Sequence, residues 1–195
     1  MLYSLGEVDL ARRGVFDKAW KKIAEEAYGK EEYLPLDDGK NLWKKARKII
    51  RENRYTEQTA GTANEYVQGN LCILPSKYAD DFSQFCKSNP KPCPLIGKGI
   101  KGDPTLPELG EIDIRTDVPQ YRIWKKSKLI EEPFDIKKYW NEDLVTFILG
   151  CSMSFELPLI KAGIELQHIT NNSIVPMYQT SVDCVPAGQF SGKLV

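Results

Sequence analysis

An apolar run that leads directly into a compact polar group, at residues 143–164, limits what this chain can fold into more than any other feature. Residues 144–149 form the apolar run, residues 150–156 read Gly-Cys-Ser-Met-Ser-Phe-Glu, and a second apolar run ends at Gly163. Hydroxyl and carboxylate groups are costly to bury without hydrogen-bond partners. The segment is therefore either a tightly satisfied turn inside the core or a functional site, and the sequence alone leaves both open.

The balance of charges limits the partners of this 195-residue chain, for which one domain is the default. Its 27 Lys and Arg residues equal its 27 Asp and Glu residues, so no net field draws it to nucleic acid or to an anionic membrane. Its apolar runs fall far short of the roughly 20 residues that a membrane-spanning helix needs, and its N-terminus resembles neither a signal peptide nor a transit peptide. We therefore expect an intracellular protein, in the mitochondrial matrix or the cytoplasm, with no nucleic-acid or membrane partner.

The cysteines and the single histidine do not predict a metal site. Five cysteines are present, an odd number, without a Cys-x-x-Cys pair, and His168 is the one histidine, so no zinc-ligand spacing occurs. We expect reduced thiols and no metal or organic cofactor. Cys72, inside the apolar residues 71–74, is predicted to be a small core residue.

Hydrophobic periodicity predicts both helices and strands. Helices are predicted at residues 15–29, 41–53 and 77–88, and strands at 66–74, 94–96, 164–169 and 175–180, with a hairpin at 121–130 whose turn lacks Gly or Asn. Residues 66–74 are predicted to form an interior strand.

Several polar groups along the chain have two interpretations each. Gln68 and Asn70 are two residues apart on a predicted strand, so both amides should point to one face, as a pocket wall or as an exposed edge. Arg115 lies between acids at 113 and 117 and belongs either to a local ion-pair network or to a clamp for a carboxylate. His168 is either a satisfied structural histidine or a base. Residues 56–64, rich in Gly and small hydroxyls, suit an anion cradle or a simple loop.

The motifs of the C-terminal three quarters, roughly residues 46–195, resemble one family in their order along the chain. They are TAGTANEYVQGNLCILP at 59–75, FCKSNPKPCPL at 85–95, GDP at 102–104, DIRTDVPQYRIW at 113–124, EPFDI at 132–136, DLVTFILGCSMSFE at 143–156, AGI at 162–164 and VPMYQTSVDCVPAGQFSG at 175–192. This pattern is similar to the D-glutamate cyclase and putative hydro-lyase family. The chain departs from it at Glu57-Gln58 and at Glu65, where the family commonly has Gly-Pro and Gly.

The resemblance implies an α/β fold of two interleaved lobes with mixed sheets and a site between them, at residues 46–195. Residues 1–45 have no clear counterpart and are expected to form an N-terminal helical extension that packs as an appendage. Family members usually continue past the position of Val195, so the domain is expected to be incomplete at its C-terminus.

The resemblance also implies a lyase that removes water, with D-glutamate converted to 5-oxo-D-proline as the reaction. The alternatives are a hydro-lyase acting on another small hydroxy or amino acid, and a non-catalytic protein that binds a small carboxylate. The expected partner is a small carboxylate or amino-acid substrate, and a homo-oligomer is an open expectation.

Local chemistry then assigns roles for such a reaction. Glu156 is the predicted proton carrier, with a pKa raised by Phe155 and Met153, and Ser152 and Ser154 are predicted to stabilise an oxyanion. Cys151 is assigned a packing role. Substrate binding is assigned to Arg115, for the α-carboxylate, and to Thr59, Gly61, Gln68, Asn70 and Tyr178.

Overall fold

The computed structural model describes residues 2–8, 42–56, 59, 68–171, 173, 175 and 177–195, and its centre is a six-stranded sheet. The strands are β1 (Leu2–Val8), β2 (Gly69–Pro75), β3 (Leu95–Lys98), β4 (Arg122–Lys125), β5 (Lys128–Glu131) and β6 (Leu144–Gly150). Their order across the sheet is β3-β6-β2-β1-β4-β5.

The predicted α/β class is confirmed, and the described strands form one sheet. Each strand pairing within the described residues is antiparallel, where mixed sheets in two lobes were expected. Hydrophobic alternation reports which face of a strand is buried but not the direction of its neighbour, so the sequence pattern could not distinguish these arrangements.

Four α-helices accompany the sheet in the described part of the chain: α1 (Leu42–Arg51), α2 (Ala79–Ser88), α3 (Met153–Lys161) and α4 (Gln167–Thr170). Short 3₁₀ turns lie at Ser76–Tyr78, Pro107–Leu109 and Lys137–Tyr139. The helices predicted at 41–53 and 77–88 are confirmed as α1 and α2. None of the described helices is long and apolar enough to cross a membrane.

Two of the predicted strands are wrong. Residues 164–169, predicted as a strand, lead into α4, because Gly163 adopts φ +78° after α3 and the Ile164 N–H bonds to the Leu159 carbonyl, which turns the chain. The described residues of 175–180 belong to no strand. Alternation over six residues is too short to separate a strand from a loop with scattered apolar side chains.

The N-terminal region differs from the expected helical extension where it is described. Leu2–Val8 forms β1, which pairs with β2 on one side and with β4 on the other, so these residues are part of the sheet and not of an appendage. The predicted helix at 15–29 lies outside the described residues. The domain division at residue 45 stays a prediction.

The sheet carries an apolar cluster on each face. One cluster joins β2, β4 and β6 to the segment 106–140 through Leu71, Ile73, Ile114, Ile123 and Ile148. The other lies beneath α2 and the C-terminal residues, where the Phe82 ring meets the Phe147 ring edge-on at a centroid distance of 4.9 Å and the Phe190 ring at 5.0 Å. Of the apolar run at 144–149, residues 144–148 are buried and Leu149 is half-buried. The predicted interior position of β2 is confirmed.

The cysteines behave as core residues. All five are free thiols, with Cys72, Cys86 and Cys184 buried. Burial raises the pKa of Cys72 to about 12 and that of Cys86 to about 11, which keeps both thiols protonated. The prediction of a core role for Cys72 is confirmed.

The predicted hairpin is confirmed as β4 and β5, joined by Lys126 and Ser127. These two residues adopt φ +49° and +60° without Gly or Asn, the left-handed pair that a two-residue hairpin requires. Strand β4 pairs with β5 across the turn and with β1 on its other side, and these pairings outweigh the local cost of the two left-handed residues.

Helix α1 is anchored to the segment that follows Leu109. The guanidinium of buried Arg47 donates to the carbonyls of Glu111, at 2.6 Å, and Leu109, at 3.1 Å. Arg51 donates from Nε and Nη2 to the two oxygens of the buried Asp117 carboxylate, at 2.7 and 2.6 Å. A two-pronged pair of this kind fixes orientation as well as charge.

Candidate active site

The polar group after β6 folds back against the start of β2. Gly150 pairs with Gly69 across the two strands, so Gln68 and Cys151 meet just beyond the end of the ladder. The Cys151 N–H donates to the Gln68 carbonyl at 3.3 Å. A Cβ added at Gly69 would lie 2.5 Å from Ile148 Cγ2, so only glycine allows this close approach of the strands.

Ser154, in the first turn of α3, fixes the Gln68 backbone. Its hydroxyl oxygen accepts from the Gln68 N–H at 2.8 Å, and its hydroxyl donates to the Gln68 carbonyl at 3.1 Å. Both functions of the hydroxyl are therefore engaged inside the protein. Ser154 supports Gln68 in this geometry, where the sequence predicted an oxyanion donor.

The side chain of Gln68 is the unusual feature of this region. It is fully buried, yet neither Nε2 nor Oε1 has a hydrogen-bond partner among the described residues. A buried amide without partners costs about 1–3 kcal/mol, and native interiors rarely tolerate one. A buried side chain with an open donor and an open acceptor is suited to a ligand that offers the opposite groups.

Glu156 lies in the same first turn of α3 and pairs with the sole histidine. His168 Nε2 on α4 is 3.2 Å from Glu156 Oε1, and the two side chains are 15% and 8% exposed. Phe155, one of the two apolar neighbours predicted beside Glu156, has an exposed side chain. The Glu156 side chain is instead buried beside the imidazole of His168.

Helix α3 connects these two features. Ser154 and Glu156 are two positions apart, so the helix directs them to different sides: Ser154 toward the Gln68 backbone and Glu156 toward His168. Helix α3 therefore contacts the Gln68 backbone through Ser154 and His168 through Glu156. Ser152 precedes this turn, is half-buried, and caps no N–H with its side chain.

Arg115 takes part in a local ion pair with Asp113. Its Nε and Nη2 donate to the two carboxylate oxygens of Asp113, at 2.9 and 2.8 Å, and this ion pair raises the pKa of Arg115. Of the two interpretations, the structure shows the local ion pair; the second flanking acid, Asp117, pairs with Arg51. Among the described residues, the Arg115 guanidinium bonds to Asp113 and not to Gln68, Ser154 or Glu156.

Arg115→Lys is therefore expected to have a small effect. The pair is partly solvent-exposed, and such pairs contribute about 0–1 kcal/mol. Chemical denaturation should show a loss of stability within that range, and kcat/KM should stay close to the wild-type value. A large fall in kcat/KM with intact folding would return Arg115 to the site as a substrate clamp.

The remaining predicted binding residues differ in burial and in position. Thr59 is buried, Asn70 lies half-buried on β2 opposite Leu149, and Tyr178 is exposed. Gly61 lies outside the described residues. The structure thus brings together Gln68, Ser154, Glu156 and His168, and the substrate-binding roles assigned to Thr59, Asn70 and Tyr178 stay predictions.

Sequence reasoning missed the pairing of Glu156 with His168. With residues 164–169 interpreted as a strand, nothing placed His168 near α3. The signal that could have found it is the turn at Gly163, since a reversal after α3 returns the next segment toward that helix. The fold and these residues define an α/β protein in which one helix, α3, contacts both the Gln68 backbone and a largely shielded acid–base pair.

Comparisons with known proteins identify the relatives of this chain. A family model described as D-glutamate cyclase matches residues 145–195, which contain α3, Glu156 and His168. The chain is 78% identical over 150 residues to a putative hydro-lyase of Pelagibacter ubique (strain HTCC1062), covering 77% of this chain and 58% of that protein.

Two further relatives carry the same description. A putative hydro-lyase of Bradyrhizobium sp. (strain ORS 278) is 53% identical over 138 residues, 70% of this chain and 51% of that protein. One of Rhizobium johnstonii is 53% identical over 150 residues, 76% of this chain and 56% of that protein. The family indicated by the sequence motifs, D-glutamate cyclase and putative hydro-lyase, is confirmed. The chain spans just over half the length of these curated relatives.

Proposed function

We propose that this chain forms part of a lyase that converts D-glutamate to 5-oxo-D-proline and water. The substrate is supported by the description of the matching family model, and the lyase class by the names of the relatives. The observation that carries the proposal is the buried Gln68 side chain, whose amide has neither a donor nor an acceptor partner within the described part of the chain.

The chemistry of that amide favours an amino acid over a simple carboxylate. Its Nε2 group donates and its Oε1 accepts, so a ligand that satisfies both must itself accept and donate. An α-amino acid does so with its carboxylate and its ammonium group. A carboxylate alone would leave Oε1 without a donor.

The cyclisation itself needs proton carriers and little else. The amine nitrogen of D-glutamate forms a bond to the γ-carboxyl carbon, the bond from that carbon to one oxygen breaks, and the oxygen departs as water. Two hydrogens leave the nitrogen and both end in the water, so atoms and charge balance. Glu156 is the proposed acid–base group, and the Ser152 hydroxyl is the proposed donor to the developing oxyanion.

Two other functions stay open to the same site. One is removal of water from another small hydroxy or amino acid, and the other is binding of a small carboxylate without turnover. For each of these functions, including the proposed cyclase, we also propose a small-molecule partner, an intracellular location and assembly into a homo-oligomer.

Chiral chromatography of the 195-residue chain incubated with D-glutamate or L-glutamate tests the proposal. We expect 5-oxo-D-proline to form from D-glutamate. A rise in melting temperature with D-glutamate but no product would indicate a binding protein. If D-glutamate gives no product and does not raise the melting temperature, the assignment of this substrate is overturned.

A further inference from the structure

We propose that His168 is a second catalytic residue of this site, and that it works with Glu156 as a two-member proton relay between the substrate nitrogen and the departing oxygen. The inference rests on the proposed function and extends it to a residue for which the sequence left the role open.

The geometry of Glu156 and His168 allows proton transfer between them. Nε2 of His168 and Oε1 of Glu156 are 3.2 Å apart, within reach of a hydrogen bond, and both side chains are largely shielded from water. His168 is held by its backbone, since its carbonyl accepts from the Ser173 N–H at 2.8 Å. Glu165, the nearest acid along the chain, is exposed and accepts from the Thr170 hydroxyl at 2.9 Å.

The reaction moves two protons. Both leave a single nitrogen and both arrive on a single oxygen, and a second titratable group beside Glu156 allows one proton to be accepted while another is delivered. In the relay, Glu156 takes a proton from the nitrogen and passes it to Nε2 of His168, while Nδ1 of His168 gives its proton to the oxygen. The imidazole proton then returns from Nε2 to Nδ1 by exchange with water, which restores the first tautomer. A second cycle moves the second proton. The pair finishes in its starting state, so no further reactant is needed.

Two substitutions separate catalysis from simple packing. His168→Gln keeps a group that can bond to Glu156 but cannot relay protons, so kcat should fall about 100-fold or more while KM and the D-glutamate-induced rise in melting temperature stay near wild type. His168→Ala should lose activity and regain part of it with added imidazole. Gln167→Ala, on the exposed neighbour in α4, is the matched control and should leave kcat unchanged.

Nitrogen-15 NMR gives an independent measurement, because the chain contains one histidine. The Nε2 resonance should change in Glu156→Gln and again when D-glutamate is added. An unchanged resonance in Glu156→Gln, or a kcat within about threefold of wild type in His168→Gln (under about 0.7 kcal/mol of barrier), would overturn the relay. If the wild type forms no 5-oxoproline, the proposed reaction has failed, and the NMR result still decides whether the pair exists.

Discussion

Glu156→Gln is expected to lower kcat about 100-fold or more and to leave KM nearly unchanged. Glutamine keeps the size and one carbonyl oxygen of the side chain, so the contact with His168 Nε2 can persist while the transferable proton is lost. An interaction used only in the chemical step appears in kcat and not in substrate binding. The measurement is the rate of 5-oxo-D-proline formation against D-glutamate concentration.

Glu165→Gln is the matched control for this change. Glu165 lies between α3 and α4 but is exposed, so its substitution should leave both kinetic constants near wild type. Melting curves of both variants establish that they fold. Near-normal kcat in a folded Glu156→Gln variant would remove Glu156 as the acid–base group, and the hydroxyl of Ser152 would become the next group to test.

Gln68→Met is expected to stabilise the free protein and to abolish its response to D-glutamate. Methionine fills a similar volume without polar atoms, so the substitution should remove the penalty of about 1–3 kcal/mol for a buried, unpaired amide. The same change deletes the donor and the acceptor that we propose for the amino-acid ligand. Gain of stability with loss of function is the signature of a residue retained for its ligand.

Urea denaturation with and without D-glutamate measures both effects. Gln84→Met, at an exposed position of α2 where the amide bonds to Ser88, is the control: it should not raise stability and should keep the ligand response. Loss of stability in Gln68→Met together with a normal ligand response would show that the amide is satisfied inside the free protein.

The parts of the fold that followed from sequence are those fixed by local periodicity. The apolar run at 144–149 became β6, residues 77–88 became α2 after a 3₁₀ turn, and the hairpin formed in spite of its turn residues. Strand β6 and helix α2 bury apolar residues that their own sequences define. The order of strands in the sheet, and the position of β1 within it, depend on contacts between distant segments, which periodicity does not encode.

The candidate site was predicted only in part, because some of its contacts also join distant segments. Gln68 and Glu156 were recognised because polar groups beside buried segments need partners. The acids beside Arg115 in sequence leave both a local ion pair and a carboxylate clamp open, and its assignment to the substrate comes from the needs of the reaction that the resemblance implies. In the structure Asp113 pairs with its guanidinium. The partner of Glu156 depended on a chain reversal at Gly163, a single left-handed residue, so the sequence offered little to locate it.

The NMR signal of the Gln68 side-chain amide tests the central claim most directly. Its NH₂ pair can be assigned as the cross-peaks missing from the Gln68→Met spectrum. We expect these cross-peaks to shift with D-glutamate in a saturable way, at the same concentrations that raise the melting temperature. If D-glutamate stabilises the protein while the Gln68 cross-peaks stay in place, the ligand binds elsewhere and the proposed site is wrong.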